Sequence, residues 1–289
     1  MLRLASCLVT RSAAFFDLDK TVIAKSSTLA FGRPFFQGGL INRRAVLKGA
    51  YAQFVFSLAG ADEVQMERMR AQITAMCTGW DVEVVHDIVR ETLHTIVDPL
   101  VYAEAADLIE EHRAAGREIV IVSSSGAEMV EPIGEMLGVD RVVATRMVVA
   151  EGRYTGEIEY YAYGENKAAS MRAVAAEMGY DLADCWAYSD SVTDLPMLTA
   201  VGHPTAVNPD RGLRRAAAER GWPVLTFDRP VALSARAYSP RTPIVTGAAV
   251  GVGAAVAGLA WYARRRALRL LAAAPAPAPP ALRRRRRGA

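Results

Sequence analysis

Residues 118–122, Glu-Ile-Val-Ile-Val, form an apolar run behind one glutamate, and three serines follow at once. A strand with one wet face alternates apolar and polar residues. A strand without that alternation is covered on both faces, as in a parallel sheet flanked by helices. The surrounding sequence supplies the covering elements. Residues 102–115, 128–137 and 167–178 carry helical spacing and stop at Gly116, Gly138 and Gly179. Residues 211–220 read as a further helix. Residues 13–18, 185–188, 205–207 and 223–226 read as strands, and 141–149 with 153–159 as a hairpin around Glu151-Gly152. Strands alternating with helices predict an α/β fold, a Rossmann-like parallel sheet with right-handed crossovers.

Two regions fall outside that rhythm. Residues 28–98 read as mostly helical, with apolar spacing over 45–58 and 64–76 broken by glycines, and predict a small helical cap inserted after the first strand. The expected organisation is a core of residues 1–27 and 99–228, a cap of 28–98, a linker of 229–243, a candidate membrane-spanning segment of 244–262 and an Arg/Ala/Pro-rich tail of 263–289. Within the cap, Phe31, Phe35, Phe36, Tyr51, Phe54 and Phe56 are expected core, and Arg33, Arg43 and Arg44 are candidates to meet an anionic substrate.

Charge separates body from tail. Residues 1–240 hold all 31 acidic residues and 24 of the 34 basic ones, so the body is net −7 while ten arginines make the tail +10. This balance does not support a basic, nucleic-acid-binding body, and no nucleic acid is expected as its partner. Residues 244–262 are 19 residues without a charge, near the length that crosses a bilayer, and Trp261 and Tyr262 suit an interface. No secretory signal is read at the N-terminus. The expectation is a cytoplasmic body attached to the cell membrane by its C-terminal segment. Three scattered cysteines give neither a disulfide framework nor a thiolate metal site.

Ligands of open α/β sheets bind at the carboxyl ends of the strands. There the sequence places Asp17, Asp19 and Thr21, then Ser123, Ser124 and Ser125, then Ser189, Asp190, Ser191 and Asp194, with Lys167 between. Four carboxylates in one crevice repel unless a cation joins them, and oxygen ligands select a hard ion, Mg²⁺ first. A carboxylate can also attack phosphorus, with Lys167 and the cation neutralising the charge on the transferring group.

Asp17-Leu18-Asp19-Lys20-Thr21 resembles the DxDxT motif of the haloacid dehalogenase superfamily. Val120-Ile121-Val122-Ser123 is similar to its second motif, Lys167 to its third, and Ser189-Asp190-Ser191-Val192-Thr193-Asp194 to its fourth. The four occur in order across about residues 13–228. A helical insertion after the first strand resembles subfamily IB, the phosphoserine phosphatase-like branch. The resemblance implies Asp17 as nucleophile and Mg²⁺ ligand, and Asp19 as general acid and base whose carbonyl also meets the metal. It implies Ser123 and Lys167 on the phosphoryl oxygens, with Ser124 as the alternative serine contact. Asp190 is implied as a Mg²⁺ ligand, and Asp194 as a ligand or its support. The implied function is Mg²⁺-dependent hydrolysis of a small phosphate ester through an aspartyl-phosphate. A catalytically weak, membrane-associated regulatory protein of the same fold and a phosphotransferase are the alternatives. The chain departs from the branch in having Lys25-Ser26 where a substrate-binding glutamate is usual, and serines at 124, 125, 189 and 191 where glycines are usual.

Overall fold

The computed structural model describes residues 11–41, 71 and 74–233. The chain divides into units 1–238 and 239–289, and all described residues belong to the first. The readings for 45–58, most of 64–76, the linker from 234, the segment 244–262 and the tail lie outside them, as do Cys7, Arg43, Arg44, Tyr51, Phe54 and Phe56. Among the described residues, no helix is long and apolar enough to cross a membrane.

The described strands form one sheet ordered β4-β3-β2-β1-β5-β6-β7. They are β1 (Ala13–Phe16), β2 (Glu118–Gly126), β3 (Arg141–Ala150), β4 (Arg153–Tyr160), β5 (Trp186–Ser189), β6 (His203–Val207) and β7 (Val224–Leu225). Neighbours pair in parallel except for the β3–β4 hairpin, which is antiparallel. Glu151 and Gly152 have φ of 50° and 72°, the left-handed pair a tight hairpin turn requires. The expected parallel sheet thus carries an antiparallel edge.

The helices are α1 (Ser27–Ala30), α2 (Gly32–Gln37), α3 (Val82–Ile96), α4 (Ala103–Ala114), α5 (Ala127–Leu137), α6 (Glu165–Met178), α7 (Leu195–Thr199) and α8 (Arg211–Arg220). The apolar strands explain their placement. Ala14 and Phe16 of β1 join Ile119 and Ile121 of β2 in a core on one face with Ile109 of α4. Ala13 and Phe15 join Val120 and Val122 in a core on the other, with Met171 of α6 and Leu213 of α8. Strand alternation thus loads both faces, and neither can be left wet.

Of the insertion, α1, α2 and α3 are described. Asp81 caps α3 by accepting from the Glu83 and Val84 amides, a contribution of about 1 kcal/mol. Phe31 and Phe35 are buried as expected, Phe35 lying 5.5 Å from Trp80 between ring centres, whereas Phe36 and Arg33 are exposed. The segment entering α3 is tied to the hairpin: Gly79 donates to the Tyr154 carbonyl at 2.8 Å, and Tyr154 donates to that of Trp80 at 3.1 Å. The hairpin, assigned to the core from sequence, therefore shares its backbone hydrogen bonds with the cap.

Candidate active site

β1 lies in the middle of the sheet, so the chain leaving its carboxyl end is flanked by β2 on one side and β5 on the other. Asp17 continues the ladder by donating its amide to the Tyr188 carbonyl at 2.9 Å. A turn follows in which Val22 and Ile23 both donate to the Leu18 carbonyl, and Lys20 takes a left-handed φ of 63°. Asp17 and Asp19 are thereby carried to the same end of the sheet. Thr21 is fully buried, its hydroxyl without a hydrogen-bond partner among the described residues.

Lys167 is the third residue of α6, not its opening one, and it is buried. Its ammonium donates to Asp17 Oδ1 at 2.6 Å and to Asp194 Oδ2 at 2.9 Å. The Ser189 hydroxyl donates to the same Asp194 oxygen at 2.7 Å. Asp194 could also have served as a helix cap, but it makes no side-chain cap bond and is buried in this triad. Asp190 stands half-buried beside them. Its carbonyl accepts the Asp210 amide at 2.7 Å, while the Asp210 carboxylate accepts the Val192 amide at 2.9 Å. Asp210, not anticipated from sequence, therefore pins the loop carrying Asp190 to the start of α8.

Ser123 is 1% exposed, and its oxygen accepts the Ser125 amide at 3.2 Å. Ser124 stands apart: it is exposed, and its carbonyl takes the Thr145 hydroxyl at 2.8 Å. The serine that faces the carboxylates is Ser125, whose hydroxyl donates to Asp19 Oδ2 at 2.7 Å. Asp19 Oδ1 accepts the Ser27 amide at 2.7 Å, and the Ser27 hydroxyl lies 3.2 Å from Oδ2. Two-residue alternation along a strand puts 123 and 125 together and 124 away, a signal that was present in the sequence.

The electrostatics follow from burial. Asp17 is pushed up to about 8, mainly by loss of water, with Lys167 pulling it down and Asp194 and Asp190 pushing it up. Asp190 is pushed up to about 7, again mainly by burial, with Lys20 opposing. Burial alone would lower the Lys167 ammonium, but Asp17 and Asp194 override it and hold it above its ordinary range. Asp17, Asp190 and Asp194 face a single buried ammonium, so the cluster is two positive charges short when fully ionised.

Among the described residues, no three His, Cys, Asp or Glu side chains are placed to hold a metal unaided. Mg²⁺ does not need three: it binds through one or two carboxylates, with substrate phosphate and water completing the shell. An all-oxygen donor set with surplus negative charge fits that ion, with Asp17 and Asp190 as the carboxylates.

A sequence model of the haloacid dehalogenase-like hydrolases matches residues 14–199. The chain is 65% identical over 261 residues to the inhibition of morphological differentiation protein of Streptomyces azureus, covering 89% of this chain and 94% of that one. It is 61% identical over 254 residues to a probable phosphatase of Mycobacterium tuberculosis, covering 88% of each. It is 33% identical over 250 residues to a phosphoserine phosphatase of the same organism, covering 85% of this chain and 80% of the relative.

Proposed function

The chain belongs to the haloacid dehalogenase-like hydrolases, and from that premise we propose that it hydrolyses phosphomonoesters by nucleophilic attack of Asp17 on phosphorus. The observation that carries this reading is the buried Asp17–Lys167–Asp194 triad at the carboxyl end of the central strand, with Asp19 two residues on. The similarity to relatives called phosphatases supports it.

In this mechanism a carboxylate oxygen of Asp17 bonds to phosphorus while the bond from phosphorus to the ester oxygen breaks. Asp19 gives its proton to the departing oxygen. Asp19 then takes a proton from water, whose oxygen attacks the same phosphorus and frees phosphate and Asp17. Lys167 opposes the effect of burial, favouring the ionised, attacking form of Asp17, and offers positive charge to the phosphoryl oxygens. Ser123 uses a lone pair to accept the Ser125 amide, so its own O–H remains to donate to a phosphoryl oxygen. Mg²⁺, held by Asp17 and Asp190 with Asp194 as support, would supply further charge neutralisation. With Lys25 exposed and Ser26 half-buried, the entry to the cap brings no carboxylate to position 25 or 26. We therefore include no preference for phosphoserine.

The experiment is release of inorganic phosphate from 4-nitrophenyl phosphate by the full chain, with Mg²⁺ and with excess chelator. The reading predicts turnover that chelation abolishes and Mg²⁺ restores. No turnover with Mg²⁺ on this ester or on a panel of alkyl phosphates would overturn it.

A further inference from the structure

We propose that Ser27 and Ser125 are positioning residues for Asp19, orienting the proton-transfer carboxylate through a chain of hydroxyls that links the start of the cap to the end of β2. The inference rests on the role given to Asp19 above. Its basis is a convergence of donors from two parts of the fold, the start of the cap and the end of β2. The Ser27 amide holds Asp19 Oδ1 at 2.7 Å, and the Ser125 hydroxyl holds Oδ2 at 2.7 Å. The Ser27 hydroxyl lies 2.9 Å from Ser125 Oγ and 3.2 Å from Asp19 Oδ2.

A hydroxyl has one proton to give. The short contact assigns that of Ser125 to Asp19, and the shorter of its two contacts assigns that of Ser27 to Ser125. The result is a directed chain, Ser27 to Ser125 to Asp19, whose members polarise one another. Ser27 is fully buried and Ser125 is 7% exposed, so neither can turn to solvent for a substitute partner. Asp19 cannot rotate without breaking bonds to both.

The choice of partner separates the two aspartates. Asp17 is held by an ammonium, which only donates and favours the ionised form. Asp19 must carry a proton in one step and lack it in the next. The Ser125 hydroxyl donates to the carboxylate and, turned about its C–O bond toward the Thr28 hydroxyl 3.3 Å away, accepts from the protonated acid. The Ser27 amide on Oδ1 can only donate, so Oδ2 is the oxygen on which the proton resides. Serines at 27 and 125 therefore suit both protonation states, where a lysine or arginine would suit one.

The test exploits leaving groups. A nitrophenolate departs without a proton, whereas an alkoxide requires one, so loss of a correctly oriented acid is felt mainly with alkyl esters. We would measure kcat/KM for 4-nitrophenyl phosphate and for glycerol 2-phosphate with the wild type, Ser125→Ala, Ser27→Ala and Ser125→Thr. The expected result is a loss in both alanine variants that is about tenfold or more larger for the alkyl ester, with Ser125→Thr restoring most of it. Ser27→Ala leaves β2 intact and gives the same reading should Ser125→Ala not fold. Equal losses on both esters, or no loss, would overturn the inference while leaving the phosphatase reading intact. Failure of the wild type on both esters would overturn the phosphatase reading itself, and this inference with it.

Discussion

His112 offers a test of the core that is independent of the chemistry. It is 3% exposed, between Phe16, Tyr188 and Trp186. Arg117 approaches its Nδ1 at 2.8 Å, and a guanidinium only donates, so Nδ1 accepts. Nε2 then carries the ring proton and donates to the Tyr188 hydroxyl at 2.8 Å. A second proton would have to sit on Nδ1, facing Arg117. Burial first and Arg117 second push the imidazole down to about 4 from its ordinary 6.5. The direction of the effect follows. The unfolded chain takes up a proton as pH falls through 6.5 and the folded one does not until about 4, so stability present above 6.5 is lost across that window. The loss is about 2 kcal/mol between pH 8 and pH 5, approaching about 3 kcal/mol below pH 4. Asp17 and Asp190 act oppositely, because raised carboxyls bind protons in the folded state first and add stability as pH falls. The comparison that isolates His112 is His112→Gln, which keeps an acceptor for Arg117 and a donor for Tyr188 but does not titrate. Urea denaturation of both proteins at pH 8 and pH 5 should show the wild type losing about 2 kcal/mol more than the variant. Parallel changes in the two proteins would refute the buried neutral imidazole.

Two further outcomes are expected. Lys167→Met removes the ammonium shared by Asp17 and Asp194 and leaves two buried carboxylates without a counter-charge, so the chemical denaturation midpoint should fall by an amount equivalent to about 3–5 kcal/mol, with turnover lost as well. Gly202→Ala places a methyl on the Ala183 carbonyl oxygen, a backbone atom that cannot step aside; thermal melting should report about 2 kcal/mol lost, while the folded fraction keeps its turnover because the contact lies at the amino end of β6.

The centre of the sheet was legible because β1 and the first part of β2 are apolar on both faces, and because α4, α5, α6 and α8 run up to Gly116, Gly138, Gly179 and Gly221. The aspartates were legible because a strand's carboxyl end is one place in sequence and in space. What sequence did not convey depends on distant partners. Residues 118–122 read as a strand that stops before the serines, but β2 runs on to Gly126 with a shifted register against β3. That extension decides that Ser125, not Ser124, reaches Asp19. The depth of Lys167 is set by carboxylates 150 and 27 residues away, and Asp210 acts on a loop 18 residues before it. The bond between the cap and the hairpin pairs residues 79 and 154, which no local pattern connects.

The central claim is that Asp17 carries the phosphoryl group. Acid quenching of the full chain during turnover of 4-nitrophenyl phosphate with Mg²⁺, followed by peptide mass spectrometry, tests it most directly. The account predicts one phosphoryl group on the peptide containing Asp17, removed by hydroxylamine as an acyl phosphate is, and absent in Asp17→Asn together with turnover. A phosphorylated peptide elsewhere, or turnover by Asp17→Asn comparable to the wild type, would contradict it.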